Sequence, residues 1–551
     1  MDQRNKRRIA IACQGGGSHT AFTAGALRKI LGEVKDEGRY EIVALSGTSG
    51  GALCAFLAWY VLLKENSEQH AMKTLRSFWE EDNAAYLRVG DPQSLVDVAA
   101  NDLLTASNLL RRSGEAALGV GYTPELSPYR YHELFDYWRT RLKDAIEKNI
   151  REITPDAGDI DQAIERRVEE SDRNVRLFVG AVNTLTGDFR VFKSHKQENG
   201  NLSFNDDEED RVSVDAVLAS AAIPTIFEAT RTGEAVYWDP SRPHDRRSYV
   251  KEGVYWDGLY SQNPPVRDLT ETDPHEIWVI QINPEEIREE PKETAEIEDR
   301  RNELSGNTSL NQELYFIRKI NELAKRVGEW EQDGIPRKVF PLPPTEGEAD
   351  REKHYATIKV RRIELSIPLD VSSKLDRSRS HIEELMEHGS MQAKRFLEAI
   401  SSQIHFEQEW EKCLEDKEKS LKTVMAFFSD DPTIELVPPD DASLGRPLGN
   451  DGWRVKGSRQ VRELLEWCRQ HNFTLEQSRD YEVHEDDQNR KVLTCWALAT
   501  ADNFGDPIKG RAEVTLSEGK VKHFAFYPLS SKLMYKLKEE LEKLDIDAES
   551  K

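Results

Sequence analysis

Residues 41–63 read EIVALSGTSGGALCAFLAWYVLL, and the parsing of this stretch decides the fold class. EIVAL is a short apolar run with β-branched residues and reads as a strand. Residues 52–63, ALCAFLAWYVLL, are apolar throughout yet too short to span a bilayer, so they read as a buried helix. Between the two, Gly47, Thr48, Ser49, Gly50 and Gly51 match G-x-S-x-G. At a strand-to-helix junction this pattern makes a tight elbow. Ser49 takes a strained conformation that exposes its hydroxyl, and Gly47 and Gly51 remove the clashes that larger residues would make. The first amides of the helix then face the serine and favour negative charge there. An ordinary βα turn can carry the same five residues; the strand before and the helix after give the match its weight.

The preceding segment repeats the arrangement. Residues 7–31, RRIAIACQGGGSHTAFTAGALRKIL, hold an apolar run at 9–13, three consecutive glycines and a helical pattern over about 21–31. Strand–turn–helix twice in succession argues for a parallel α/β architecture. Three glycines in a row cost backbone entropy on ordering, so they mark a sharp bend or a close approach. A phosphate cradle, a cluster of amide donors for an oxyanion and a permissive turn all fit the triplet alone. The loop lacks the third glycine of G-x-G-x-x-G and the Gly-Lys-Ser/Thr of a P-loop, which removes the nucleotide reading. Gly15, Gly16 and Gly17 end the first strand and Ser49 ends the second, so the triplet can present amides beside the elbow.

Further on, residues 65–173 are charged and helical in tone. NVRLFVGAVNTLTGDFRVF (174–192) gives two β runs around a Thr-Gly-Asp turn, and the acidic stretch 205–210 reads as a solvated loop. VSVDAVLASAAIPTIF (212–227) reads as a helix stopping at Pro224. Two β runs end in Asp239 and Asp257, HEIWVIQINP is a buried strand, and helices follow over 310–330 and 380–403 around the strand YATIKVRRIELSIP. These segments set a first domain at 1–405, a charged helical linker at 406–420, a smaller α+β domain at 421–535 and a charged tail at 536–551.

Composition excludes several roles. A net charge of −24 over 551 residues argues against a nucleic-acid binder and against general attraction to an anionic bilayer, so any lipid contact is expected to be apolar and local. Five scattered cysteines without CxxC spacing suggest a reduced, cytoplasmic protein with no disulfide framework. The apolar run near the N-terminus is too short for a signal peptide. No histidine falls at convincing metal spacing, so neither metal nor other cofactor is expected. The protein reads as soluble.

A serine nucleophile needs a base and an oxyanion site. An α/β-hydrolase would place several strands before the elbow, and here one precedes it. The combination of an early glycine loop, the GTSGG elbow, LASAAIPTIF (218–227) and the late WDGLYSQNPP (256–265) instead resembles the patatin-like phospholipase family. The resemblance rests on motifs over about 9–267, with the helical segments out to about 405 assigned to the same domain; it implies a three-layer domain around a mainly parallel sheet. It also implies a Ser–Asp dyad without histidine. Ser49 would be the nucleophile and Asp257 the base, Gly16 and Gly17 would donate to the oxyanion, Gly15 would shape the turn, and Gly258 would complete the Asp motif. The usual loop carries Arg-Gly where His19 and Thr20 stand here, and Leu259 replaces a Gly or Ala. His19 reads either as a support in the usual Arg position or as a separate base.

On this footing the chain is expected to be a lipid acyl-ester hydrolase of the phospholipase A or lysophospholipase type. The alternatives are an acyltransferase or thioesterase with the same dyad, and a catalytically weak lipid-binding scaffold. Its partners would be a lipid or acyl-ester substrate and, transiently, a membrane surface. The second domain, from its element order and final GKVKHF strand, is similar to SnoaL-like (nuclear-transport-factor-like) cone folds. That resemblance implies small-molecule binding or a homodimer. His484 and Asp502 are its pocket candidates, with exposed loop positions the plainer reading.

Overall fold

A computed structural model describes residues 6–88, 90–91, 93–102, 132–156, 158–194, 211–224, 227–238, 248–285, 287, 290–292, 294–332, 358–367, 369, 371–415, 420–437, 453–471, 473–477, 482–485, 491–500, 508–517 and 520–528. They fall into two compact units, Met1–Ala393 and Lys394–Lys551. Asp239, Asp502, the acidic stretch 205–210 and the tail 536–551 lie outside the described residues.

The first unit begins β1 (Arg7–Cys13), α1 (Ala21–Glu37), β2 (Tyr40–Gly47), α2 (Gly50–Leu62), α3 (Glu68–Ser77), α4 (His132–Ile153) and α5 (Ile160–Glu169). It continues with β3 (Arg176–Asn183), β4 (Phe189–Lys193), α6 (Val214–Ser220), β5 (Thr230–Trp238) and β6 (Ser248–Asp257). The remaining elements are β7 (Glu276–Gln281), α7 (Thr294–Gln332), β8 (Lys359–Glu364) and α8 (Arg379–Glu415). The strands form one eight-stranded sheet in the order β5-β6-β3-β2-β1-β7-β8, with β4 also on β3. The run β3-β2-β1-β7-β8 is parallel, whereas β4, β5 and β6 pair antiparallel at one side.

The near-continuous apolar strands follow from burial of both sheet faces. On one face Ala10 and Ala12 pack with Ile277, Val279 and the α7 residues Leu310, Leu314 and Ile317. Side chains alternate along a strand, so Ile9 and Ile11 point the other way, and they are equally buried. Helix α2 lies on β2 and β3 and is buried along its whole length, which is why its apolar residues show no polar face. The result is a three-layer α/β domain. At the N-terminal ends of the parallel strands, Glu276 accepts from Arg361 Nε at 2.7 Å, Arg7 at 2.6 Å and Trp278 Nε1 at 2.8 Å.

Two elements differ in length from the sequence reading. Helix α6 ends at Ser220, well before Pro224. The Ser220 carbonyl accepts from the Ser49 amide and the Ala222 carbonyl from the Asp257 amide, so a continued helix would withdraw both acceptors. Helix α7 starts at Thr294 rather than near 310, because its first half presents few apolar side chains for periodicity to detect.

In the second unit α9 (Ser420–Met425) precedes β9 (Phe428–Leu436), β10 (Trp453–Lys456) and α10 (Ser458–Gln470). Strands β11 (Thr474–Gln477), β12 (Glu482–Glu485), β13 (Lys491–Thr500), β14 (Ile508–Ser517) and β15 (Lys520–Pro528) complete a seven-stranded sheet. Its pairings are antiparallel except β15 with β9. Val461, Leu464 and Leu465 of α10 pack with Phe428, Val455 and Phe526 into a core separate from that of the first unit. The division between the units falls inside α8, which runs on past position 405.

Candidate active site

Adjacent parallel strands deliver the glycine loop and the serine elbow to one sheet end. Cys13 and Gly47 are register partners where β1 and β2 stop. The loops then pass so closely that side chains are excluded. A Cβ on Gly51 would stand 2.3 Å from the Cys13 carbonyl oxygen, and one on Gly15 would stand 2.7 Å from Ser49 Cβ. Ser49 has φ 56° and ψ −132°, a conformation that L-residues resist, and α2 begins immediately after it. Its amide donates to Ser220 Oγ at 3.0 Å and to the Ser220 carbonyl at 3.2 Å. Ser220 Oγ donates in turn to the Gly180 carbonyl at 2.6 Å. The strained residue is therefore held by the last residue of α6, which is itself tied to β3.

Asp257 ends β6, opposite Ala181 on β3, and its side chain is completely buried. Oδ1 accepts the Leu259 amide at 2.8 Å. Burial pushes the Asp257 carboxyl up to about 7, against the opposing pull of the Leu259 amide and of Ser49. Ser49 thus lies against this carboxyl, while Oδ2 completes no hydrogen bond of ordinary geometry. Gly258 faces the Gly180 carbonyl and the Thr48 methyl, and Thr48 Oγ1 donates to the Gln262 carbonyl at 2.6 Å. Elbow and Asp loop are tied together by that bond.

The three glycines have different situations. The Gly15 amide donates to Asn263 Oδ1 at 2.7 Å, so it is engaged and shapes the loop rather than serving an oxyanion. The Gly16 and Gly17 amides make no hydrogen bond among the described residues. Gly17 sits at φ 59°, where a Cβ would also meet the Lys374 carbonyl oxygen. Gln14 braces the base of the loop: its Oε1 accepts the Ile282 and Asn283 amides at 2.8 Å, and its Nε2 donates to Asn307 Oδ1 at 3.1 Å. His19 is buried, its Nε2 is 2.7 Å from Ser373 Oγ, and its ring meets His381 edge-on.

Ser49, Asp257, Gly47, Gly51, Gly258 and the glycine loop are therefore brought to one place. His484 lies on β12 opposite Val492 in the other unit. Gln14, Ser220, Asn263 and Ser373 escaped sequence reasoning. Three of them reach the loop or elbow across separations of 171, 248 and 354 residues, and no local pattern announces such a contact. Among the described residues no cluster of His, Cys, Asp or Glu is arranged to hold a metal, and no helix is long and apolar enough to cross a membrane. Cys13, Cys54 and Cys468 are buried and unbridged.

A strained serine at a strand–helix elbow, with a glycine loop and a fully buried carboxyl at the same end of a mainly parallel sheet, places the first unit among α/β proteins with a serine elbow. The family model described as patatin-like phospholipase matches residues 11–270, and this stretch is a patatin-like domain. A search of curated proteins finds no match. Among solved structures, VipD from Legionella pneumophila is similar at 9% identity, covering 84% of this chain and 83% of its own, with a TM-score of 0.25. The ExoU–SpcU complex of Pseudomonas aeruginosa is similar at 12% identity over 71% of this chain and 52% of that one, TM-score 0.21. A putative isomerase from Bacillus subtilis is similar at 13% identity over 26% of this chain and 95% of its own, TM-score 0.18. At TM-scores this low the likenesses bear no weight for fold or chemistry.

Proposed function

We propose that the chain hydrolyses acyl esters of lipids, as a phospholipase A or lysophospholipase, with Ser49 as nucleophile and Asp257 as its base. The observation that carries this is the fully buried Asp257 carboxyl lying against Ser49, where burial pushes it up to about 7. An ordinary carboxylate is too weak a base to draw a proton from a hydroxyl, and burial narrows that gap. The match of residues 11–270 to a phospholipase family supports lipid esters as the substrate class.

In this reading Ser49 Oγ attacks the ester carbonyl as its proton passes to Asp257 Oδ2. The tetrahedral oxyanion takes hydrogen bonds from the Gly16 and Gly17 amides and the field of the α2 N-terminus. Collapse expels the alcohol, which recovers the proton from Asp257 and leaves an acyl ester on Ser49. Water then attacks that ester, giving a proton to Asp257. Second collapse frees the fatty acid and returns the proton to Ser49. His19, held by Ser373, is assigned to supporting the loop.

The test is fluorophosphonate labelling together with hydrolysis of a short-chain nitrophenyl ester. Wild type is expected to label and turn over, Ser49→Ala to do neither, and Asp257→Asn to lose turnover by about 10³-fold or more. Labelling that persists in Ser49→Ala overturns the nucleophile. A His19→Ala variant that is inactive beside an active Asp257→Asn overturns the dyad.

A further inference from the structure

Helix α7 runs past the candidate site, and its outward face has an unusual composition for a chain of net charge −24. Between positions 301 and 320 every exposed side chain is basic, apolar or neutral polar. The two glutamates of this span, Glu303 and Glu313, are 8% and 9% exposed and face inward. Outward stand Leu304 at 48%, Tyr315 at 55%, Phe316 at 43% and Ile320 at 44% exposure. Leu304 and Tyr315 are three turns apart and share one line along the helix. The Arg318 and Lys319 cations both lie over the Tyr315 ring, at 5.8 and 5.4 Å, and Arg267 lies over Phe316 at 6.0 Å.

The strip is continuous with the site. Gly306 of α7 packs against Leu259 and Asn263, the latter being the partner of the Gly15 amide. Tyr260, three residues beyond Asp257 and 45% exposed, is within electrostatic reach of both Asp257 and Arg301. From Arg301 to Ile320 the helix covers about 28 Å at the usual rise per residue.

We propose that this face of α7 is the surface by which the protein docks on an anionic lipid bilayer. Aromatic and aliphatic side chains flanked by Arg and Lys are the composition that inserts at the headgroup level, with the cations meeting lipid phosphates and carboxylates. The missing exposed carboxylates matter as much, because a chain this acidic is repelled by an anionic surface wherever its average face approaches. A protein partner fits less well: lysine is depleted from the cores of protein interfaces. The choice of a bilayer as occupant rests on the lipid-ester reading of the site, to which the strip leads.

The full chain carrying Ser49→Ala, which removes turnover from the measurement, is sedimented with phosphatidylcholine vesicles with and without phosphatidylserine. It is expected to partition onto the phosphatidylserine vesicles. Arg318→Glu with Lys319→Glu should weaken that partitioning by about tenfold or more, and Tyr315→Ser with Phe316→Ser should weaken it further. Circular dichroism melting confirms that each variant is folded, and Arg318→Gln with Lys319→Gln replaces the reversal if it is not. Parent protein left in the supernatant, or a charge variant that binds as the parent does, overturns the proposal. So does sedimentation showing a dimer that Phe316→Ser dissolves, since the face would then cover a second copy. Because binding is read without hydrolysis, a failed esterase assay leaves this result standing, and a failed binding assay leaves the dyad standing.

Discussion

At the residue scale, Asp257 carries a cost that its proposed role as base would explain. Its folded value of about 7 stands above the ordinary 3.8, so the folded state holds the proton more tightly than the unfolded one. Its contribution to stability is therefore full below about pH 4 and is lost as pH rises through 7. Asp257→Asn should raise the melting temperature at pH 8, by a gain of up to about 4 kcal/mol, and change it little at pH 4. Activity should run the other way: kcat/KM of wild type rises with pH along a limb centred near 7, since the base must be ionised. Stability gained and turnover lost in one variant would separate the catalytic carboxyl from a structural one. Asn263 allows a parallel test. Asn263→Ala leaves the buried Gly15 amide unpaired and is expected to cost about 1–3 kcal/mol together with a tenfold or larger fall in kcat. Asn263→Asp restores an acceptor and hence stability, but sets a negative charge beside the oxyanion and leaves kcat low. Thermal melts and ester kinetics on the two variants check both statements.

At the element scale, the site was legible where the reason for a residue is local. GTSGG and the glycine triplet stand out because a Cβ at Gly15, Gly47 or Gly51 would stand under 3 Å from a neighbouring backbone atom, and only glycine meets that demand. The five-residue and three-residue patterns record backbone geometry, so sequence reports it. The early end of α6 was not legible, because its cause is two acceptors required by Ser49 and Asp257, far away along the chain. Nor was the brace of Gln14, Asn263 and Asn307, whose members look like any polar loop residues until β1, the Asp257 loop and α7 meet. At the other end of the sheet, Glu276 is buried with Arg361, each 2% exposed. Burial alone would raise its carboxyl, but Arg361, Trp278 and Arg7 hold it below the usual 4.5. That stability is present above pH 4.5 and fades as pH falls through the lowered value. Glu276→Gln should cost about 3–5 kcal/mol at pH 7, because it strands the Arg361 charge, and the deficit should shrink in acid. Urea midpoints at pH 7 and pH 4 measure it.

At the scale of the whole molecule, two separate cores imply two cooperative events. The first unit packs a parallel sheet between helices, and the second packs α10 against a mostly antiparallel sheet. Each core has the contiguous apolar packing that supports cooperative unfolding, and a single two-state curve is not expected for such a chain. Calorimetry of the full chain should resolve two transitions. Leu464, 5% exposed in the α10 core, is the probe for the second: Leu464→Ala is expected to remove about 2–5 kcal/mol from one transition only. Glu276→Gln should lower the other transition alone. Covalent labelling of Ser49 sharpens the assignment, since a bound acyl mimic stabilises the unit that holds it and leaves its neighbour unchanged. If both substitutions move one common transition, the units unfold together, and the fold of the site is coupled to the second sheet rather than built by β1, β2 and β6 within the first.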